Sequence, residues 1–116
     1  MKKLTITNIG IDQGTKVLFS DFEDGGPMWV GDGPREKRHK VRFSEKFQAP
    51  HSVQVSLSMW DLDQKTNPRA DISAQEITKS GFSLVFQTWA DTRIARVRAD
   101  WMAIGELPDD ENWDIE

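Results

Sequence analysis

Three residues of this 116-residue chain combine useful chemistry with an unusual setting: Trp89 in FQTWADTR, Arg69 closing a polar loop in TNPRAD, and Asp32 in the glycine-rich GDGPRE. In the run FSLVFQTW, Phe82, Leu84 and Phe86 share one side of a strand and Ser83, Val85 and Gln87 the other. Counting on places Trp89 on the mostly polar side. A tryptophan there is a flat platform with little side-chain entropy to lose. Arginine offers a rigid fork of donors, and aspartate accepts through charge-assisted bonds. A sugar, with apolar C–H patches and hydroxyls that both donate and accept, suits that set. The same residues also fit plainer roles: a tryptophan at a sandwich edge or subunit contact, an arginine in an ion pair, an aspartate capping a turn.

Other chemistry finds less support. His39 and His51 stand at strand edges without a catalytic or metal partner and read as incidental surface residues. No serine lies in a nucleophile elbow, and no glycine-rich phosphate loop precedes a helix. GDGPRE lacks a strand–helix context, so an anion-binding nest there has little behind it. Asp61, Asp63 and Asn67 in WDLDQKTN faintly resemble a calcium loop, but the central glycine is missing and the twelfth position is Ile72. They read as a solvated turn. No spacing singles out a carboxylate pair for hydrolysis. The chain therefore reads as a non-enzyme that needs no cofactor or metal.

The elements that must position these residues are short alternating runs between turn signals. Strands are expected over 4–9, 15–22, 39–43, 52–60, 70–78, 81–89 and 93–105. The segment 23–37 holds four of the eight glycines and two of the five prolines and reads as a loop. In SVQVSLSMW, Val53, Val55, Leu57 and Met59 alternate with serine and glutamine. In the last strand Ala95, Val97, Ala99, Trp101 and Ala103 face one way. Ile94, Arg96, Arg98, Asp100, Met102 and Ile104 face the other, a mixed face that suits a contact better than bulk water. With no amphipathic helix, the pattern implies an all-β antiparallel sandwich of six to seven strands.

Length fits one domain, over 1–106, with an N-terminal extension at about 1–13 and an acidic tail over 107–116 that is either free or docked through Trp113. A net charge of -4 argues against a bulk pull toward nucleic acid or acidic membranes. The absence of cysteine removes disulfides and thiolate metal sites. MKKLTITNIG has no apolar core, so no signal peptide is expected, and no apolar run reaches the roughly 18 residues of a membrane span. Synthesis in the cytoplasm, with release by non-classical export, lysis or incorporation into a particle, is the expected route.

In order and interval, three stretches resemble the H-type lectin domain: VRFSEKFQAPHSVQVSLSMWDLD, NPRADISAQEITKSGF and FQTWADTRIARVRADWMAIG. The resemblance covers about residues 14–105. It implies a six-stranded antiparallel sandwich that assembles as a homotrimer, in some members stacked into a hexamer. It also implies shallow sites for galactose or N-acetylgalactosamine glycans between protomers. The family's sugar-binding arginine falls on Arg69, its stacking tryptophan on Trp89 and its hydroxyl-accepting aspartate on Asp32, supplied from a neighbour's loop. Its loop-glycine backbone contact is nearest Gly31. Ala90 stands where the best-known member has a histidine against the acetamido sugar, and Ala95 replaces a later aromatic. The trimer would turn Ile94, Met102 and Ile104 toward the three-fold axis and pair Arg96, Arg98 and Asp100 across protomers. A structural or adhesion module of a larger particle, built on the same trimer, is the alternative reading.

Overall fold

The alternating runs form six strands in the computed structural model, which describes residues 1–5 and 8–108. They are β1 (Ile9–Ser20), β2 (Arg35–Arg42), β3 (Ala49–Leu62), β4 (Asp71–Gln75), β5 (Gly81–Thr88) and β6 (Ile94–Glu106). Two three-stranded antiparallel sheets, ordered β1-β6-β3 and β2-β5-β4, face each other. The expected all-β sandwich is thus the fold. Trp113 and most of the acidic tail lie outside the described residues, as does the side chain of His51.

The core lies between the sheets. Phe82, Leu84 and Phe86 come from β5, Val97, Ala99 and Ala103 from β6, and Phe19 from β1. Phe43 and Phe47, from the β2–β3 connection, close one end with Trp101. Large residues on β5 face small ones on β6, so the layers interdigitate. Burial of each such phenylalanine or leucine contributes about 1.5–3 kcal/mol.

Local expectations change where tertiary contacts override them. The strand expected over 15–22 begins earlier, at Ile9, runs through Gly14 and ends at Ser20; of the strand expected over 4–9, only Ile9 is in a strand among the described residues. Gly14 reads as a breaker, but it pairs with Trp101, and a Cβ at position 14 would come within 2.7 Å of the indole. It is a seat for a ring, which explains a glycine inside a strand. β2 starts four residues earlier than expected because its charged start, REKR, pairs with β5. Its outward side chains interlock there: Arg38 bonds Glu36 at 2.8 Å and Glu76 at 3.3 Å, and Gln87 donates to Glu36 at 3.0 Å. This layer lies over the outward face of β5, where Ser83 and Val85 are buried although alternation places them on a polar face.

Two bulges shift the side-chain phase. Ser58 on β3 moves Met59 opposite Arg98, so Met59 leaves the core row of Val53, Val55 and Leu57. Ala95 on β6 is passed over between the pairs Asp61–Arg96 and Leu62–Ile94, which turns Ile94 into the core. Ile94 is therefore not available to a three-fold axis. Arg96 and Arg98 have partners within the chain, Asp61 and Ser58, and the Thr15 and Ser58 hydroxyls hold the Asp100 carboxyl below its ordinary range.

The segment expected as a loop holds two single-turn helices, α1 (Asp21–Asp24) and α2 (Pro27–Val30). Asp21 ties them together: its carboxylate accepts the Met28 N–H at 3.0 Å. Pro27 opens α2 with φ already set, and Gly25 ends α1 at φ 65°. Among the described residues no helix is long and apolar enough to cross a membrane.

Candidate functional site

Antiparallel pairing brings the candidate residues to one end of the sandwich. Arg35, the start of β2, pairs with Thr88, the end of β5, and Asp71, the start of β4, pairs with Gln87. In the other sheet Leu62 ends β3 opposite Ile94, the start of β6. The α2–β2 loop, the β3–β4 loop and the β5–β6 turn therefore converge.

Two buried threonines lock the β3–β4 loop to the β5–β6 turn. Thr88 donates to the Arg69 carbonyl and Thr92 to the Asn67 carbonyl, each at 2.5 Å. In the same corner Asp63 accepts the Lys65 N–H at 2.9 Å, and its own N–H bonds the Arg93 carbonyl at 2.9 Å. Asp63 organises a turn, in keeping with the reading of WDLDQKTN. With its backbone held, Arg69 reaches the Asp91 carboxylate at 2.6 Å. The simple ion-pair reading of Arg69 thus holds, and the pair fixes a guanidinium whose side chain stays 32% exposed.

Trp89 stands one residue beyond β5, so its exposure follows from the strand ending at Thr88. It is 43% exposed and lines an open depression with Pro34, Arg35, Glu36, Gln87 and Thr88. Ala90 follows in a left-handed conformation, φ 59°, which turns its carbonyl to accept the Gly33 N–H at 2.8 Å. That bond draws the α2–β2 loop against the turn. Gly31 and Asp32 then line a second depression with Asp63, Asp91 and Arg93. The Asp32 loop expected from a neighbour is brought to this corner by the same chain.

Arg35 is the residue that motif reading undervalues. Nε donates to the Gly33 carbonyl at 2.9 Å, Nη1 to the Met28 carbonyl at 3.2 Å and Nη2 to the Ala90 carbonyl at 3.2 Å. One guanidinium thus clamps α2, the Asp32 loop and the Trp89 turn together. Its place at the head of a strand beside a glycine-rich loop is the sequence signal for that role. Motif reading also misses Asp91, whose only signal is that it lies two residues beyond Trp89.

The Asp91 carboxyl lies below the ordinary aspartate range. Desolvation pushes it up, but the Arg69 hydrogen bond, the backbone N–H groups of Asn67 and Asp91 and the Arg69 charge together outweigh that. With the folded value depressed, the pair's contribution is present above the ordinary aspartate value and is lost as pH falls through the lower, folded one. A carboxyl NMR titration should place the Asp91 midpoint below ordinary aspartate, and Arg69→Ala should raise it. An unchanged midpoint in the variant would show that the pair does not form. His39 is held below its ordinary value by burial, with Lys16 and Lys37 adding to the effect, which keeps it neutral at pH 7.

The corner therefore offers an exposed aromatic face, a fixed guanidinium and carboxylate acceptors in open depressions, a set suited to hydroxyl-rich ligands. Comparison with known proteins agrees with that chemistry. The H-type lectin domain model matches residues 38–104, and the chain belongs to the H-type lectin domain family. This membership points to carbohydrate binding, and the family is typically non-enzymatic. The chain is 61% identical over 109 residues to the protein called ATP synthase subunits region ORF 7 of Fuscovulum blasticum, covering 94% of this chain and 95% of that protein. It is 29% identical over 100 residues to a discoidin-1 polypeptide of Dictyostelium discoideum, covering 85% of this chain but 37% of that protein. Among solved structures, recombinant discoidin II of the same organism superposes with a TM-score of 0.74 at 20% identity, over 94% of this chain and 41% of that one. That likeness shows that the fold is discoidin-like.

Proposed function

We propose that this protein is a lectin that binds galactose- or N-acetylgalactosamine-type glycans at the loop corner. Trp89 serves as the stacking platform, Arg69 as donor to ring hydroxyls and Asp32 as acceptor, with Gly31 and Ala90 supplying the flanking backbone. The observation that supports this reading is the convergence itself: three loops from distant parts of the chain are cross-bonded at one end of the sandwich, with Trp89 in one depression there, Asp32 in another, and Arg69 held against Asp91. Ala90 offers a methyl group beside Trp89, so an N-acetyl group gains no polar side-chain contact at that position.

Such open sites bind weakly one at a time, and useful strength comes from several engaging one glycan surface. The homotrimer expected for the family would provide this. Its support here is one end of the outer face of β1-β6-β3, where Ile11 is 63% and Met102 40% exposed, with Ile9 and Ile104 beside them. An apolar row of this kind on a sheet face suits subunit contact. Sites at the edges of such a trimer would draw on neighbouring protomers as well.

A glycan array on the native oligomer tests the reading, with Trp89→Ala and Arg69→Ala as controls. Each substitution should weaken binding by about 1–3 kcal/mol without unfolding the domain. Binding that survives both would place the site elsewhere, and sedimentation as a monomer at micromolar concentration would remove the trimer.

A further inference from the structure

The loop end carries more binding surface than the Trp89 platform uses. Segments 29–36 and 89–96 each line three depressions there in succession, and 61–66 lines two of them. Pro34, Arg35 and Glu36 lie with Trp89 at one end. Val30, Gly31 and Asp32 lie with Asp63, Asp91 and Arg93 in the middle. Trp29 lies with Phe22, Asp61, Ala95 and Arg96 at the far end. Along 29–36 and along 89–96 a step of one or two residues passes from one depression to the next, so the three follow one another as a band across the loop end.

The far depression, of about 390 Å³, repeats the chemistry of the first. Trp29 meets Phe22 edge to face, with centroids 4.9 Å apart and planes at 79°. Phe22 remains 58% exposed, although a phenylalanine serving only the core would be covered. Beside them Arg96 pairs with Asp61 at 3.4 Å, with both side chains more than half exposed. The Trp89 depression likewise sets an aromatic beside an arginine, Arg35, and a carboxylate, Glu36. Glu23, Asp32 and Asp63 add carboxylates along the band. These accept from hydroxyls; with six carboxylates against four basic groups (Arg35, Lys65, Arg93 and Arg96) in the lining, the net charge disfavours sialylated or sulfated sugars.

We propose that the Trp29–Phe22 depression is a second saccharide subsite, and that the ligand is a neutral oligosaccharide laid across the loop end from Trp89 to Trp29. This rests on the lectin reading and extends it from a terminal sugar to a chain. The aromatic pair stacks on a distal residue, Arg96 donates to its hydroxyls, and Asp32 and Asp63 accept from the sugar between. The distal subsite raises affinity for oligosaccharides and leaves monosaccharide affinity unchanged.

Calorimetric titration with methyl β-galactoside, lactose and a neutral galactose-terminated tetrasaccharide tests this on the native oligomer. The wild type should bind the tetrasaccharide roughly tenfold more tightly than the monosaccharide. Phe22→Ala and Trp29→Ala should erase that gain and leave methyl galactoside binding intact, whereas Trp89→Ala should weaken all three ligands. Phe22 is exposed, so its variant keeps the test valid if Trp29→Ala lowers the melting temperature. Equal affinities of the wild type for all three ligands, or a gain that survives Phe22→Ala, would overturn the subsite and leave the lectin reading standing. A Phe22→Ala variant that instead changes sedimentation while retaining the gain would assign the aromatic pair to protein contact. Failure of the wild type to bind any of the three would overturn the lectin reading and the subsite with it.

Discussion

Replacing Arg35 by alanine should weaken glycan binding about a hundredfold and lower stability by about 2–3 kcal/mol, although Arg35 is not one of the residues proposed to touch sugar. The guanidinium holds the carbonyls of Gly33, Met28 and Ala90 from one point. Hydrogen bonds from a charged donor are each worth about 1.5–3 kcal/mol, and water replaces part of that at a half-exposed site. The larger consequence is geometric. Without the clamp the Gly33–Ala90 backbone bond is what still draws the Asp32 loop to the Trp89 turn among the described residues, so acceptor and platform lose their fixed separation. Affinity should fall about a hundredfold, near 2.7 kcal/mol. Arg35→Lys should fail almost as badly, because an ammonium cannot span three carbonyls in a plane. Chemical denaturation and glycan titration on the same samples check both parts. A variant that binds normally would show that the loops are held without the clamp.

Phe86→Ala should have the largest effect on stability, about 3–5 kcal/mol. The ring is fully buried on the central strand of its sheet and packs against Phe19 with centroids 5.6 Å apart. Its removal leaves a cavity between two sheets whose backbones are held by their own pairing and cannot close on it. For a domain of ordinary stability this is a large share of the total, and thermal unfolding should begin more than about 10 °C lower. Phe86→Leu should recover most of the loss. Binding at temperatures where the variant is still folded should be near normal, since Phe86 lies inside and the corner is held by Thr88, Thr92 and Arg35. That separation distinguishes a core residue from a site residue. A loss under about 1 kcal/mol would mean that the sheets repack.

How far residue order reaches differs between elements. Alternation locates β5 and β6 within a residue or two, because both are long and flanked by turn residues. It misjudges β2, whose charged start forms a strand only because β5 lies beside it and the charges interlock outward. Gly14 looks like punctuation because its partner, Trp101, is far along the chain. Counting puts Ile94 on the wrong face because a bulge is a mismatch between two strands, and neither strand records it alone. The same holds for the corner. Trp89, Arg69 and Asp32 are legible as types, since an exposed aromatic, a loop arginine and a loop aspartate stand out where they sit. Asp91, Thr88, Thr92 and Arg35 are not, because each acts through a partner that is distant in sequence.

Residue order by itself determined the class of fold and marked Trp89, Arg69 and Asp32 as candidates: alternation with period two requires sheets, and the chemistry of a side-chain type does not depend on neighbours. The tertiary structure alone decided which face each residue presents across a bulge, which groups meet, and that the Asp32 loop of the same chain closes on the Trp89 turn. Those properties are set by strand register and by hydrogen bonds between backbones far apart in sequence. The band from Trp89 to Trp29 exists for the same reason: it joins residues that are 60 positions apart in the chain.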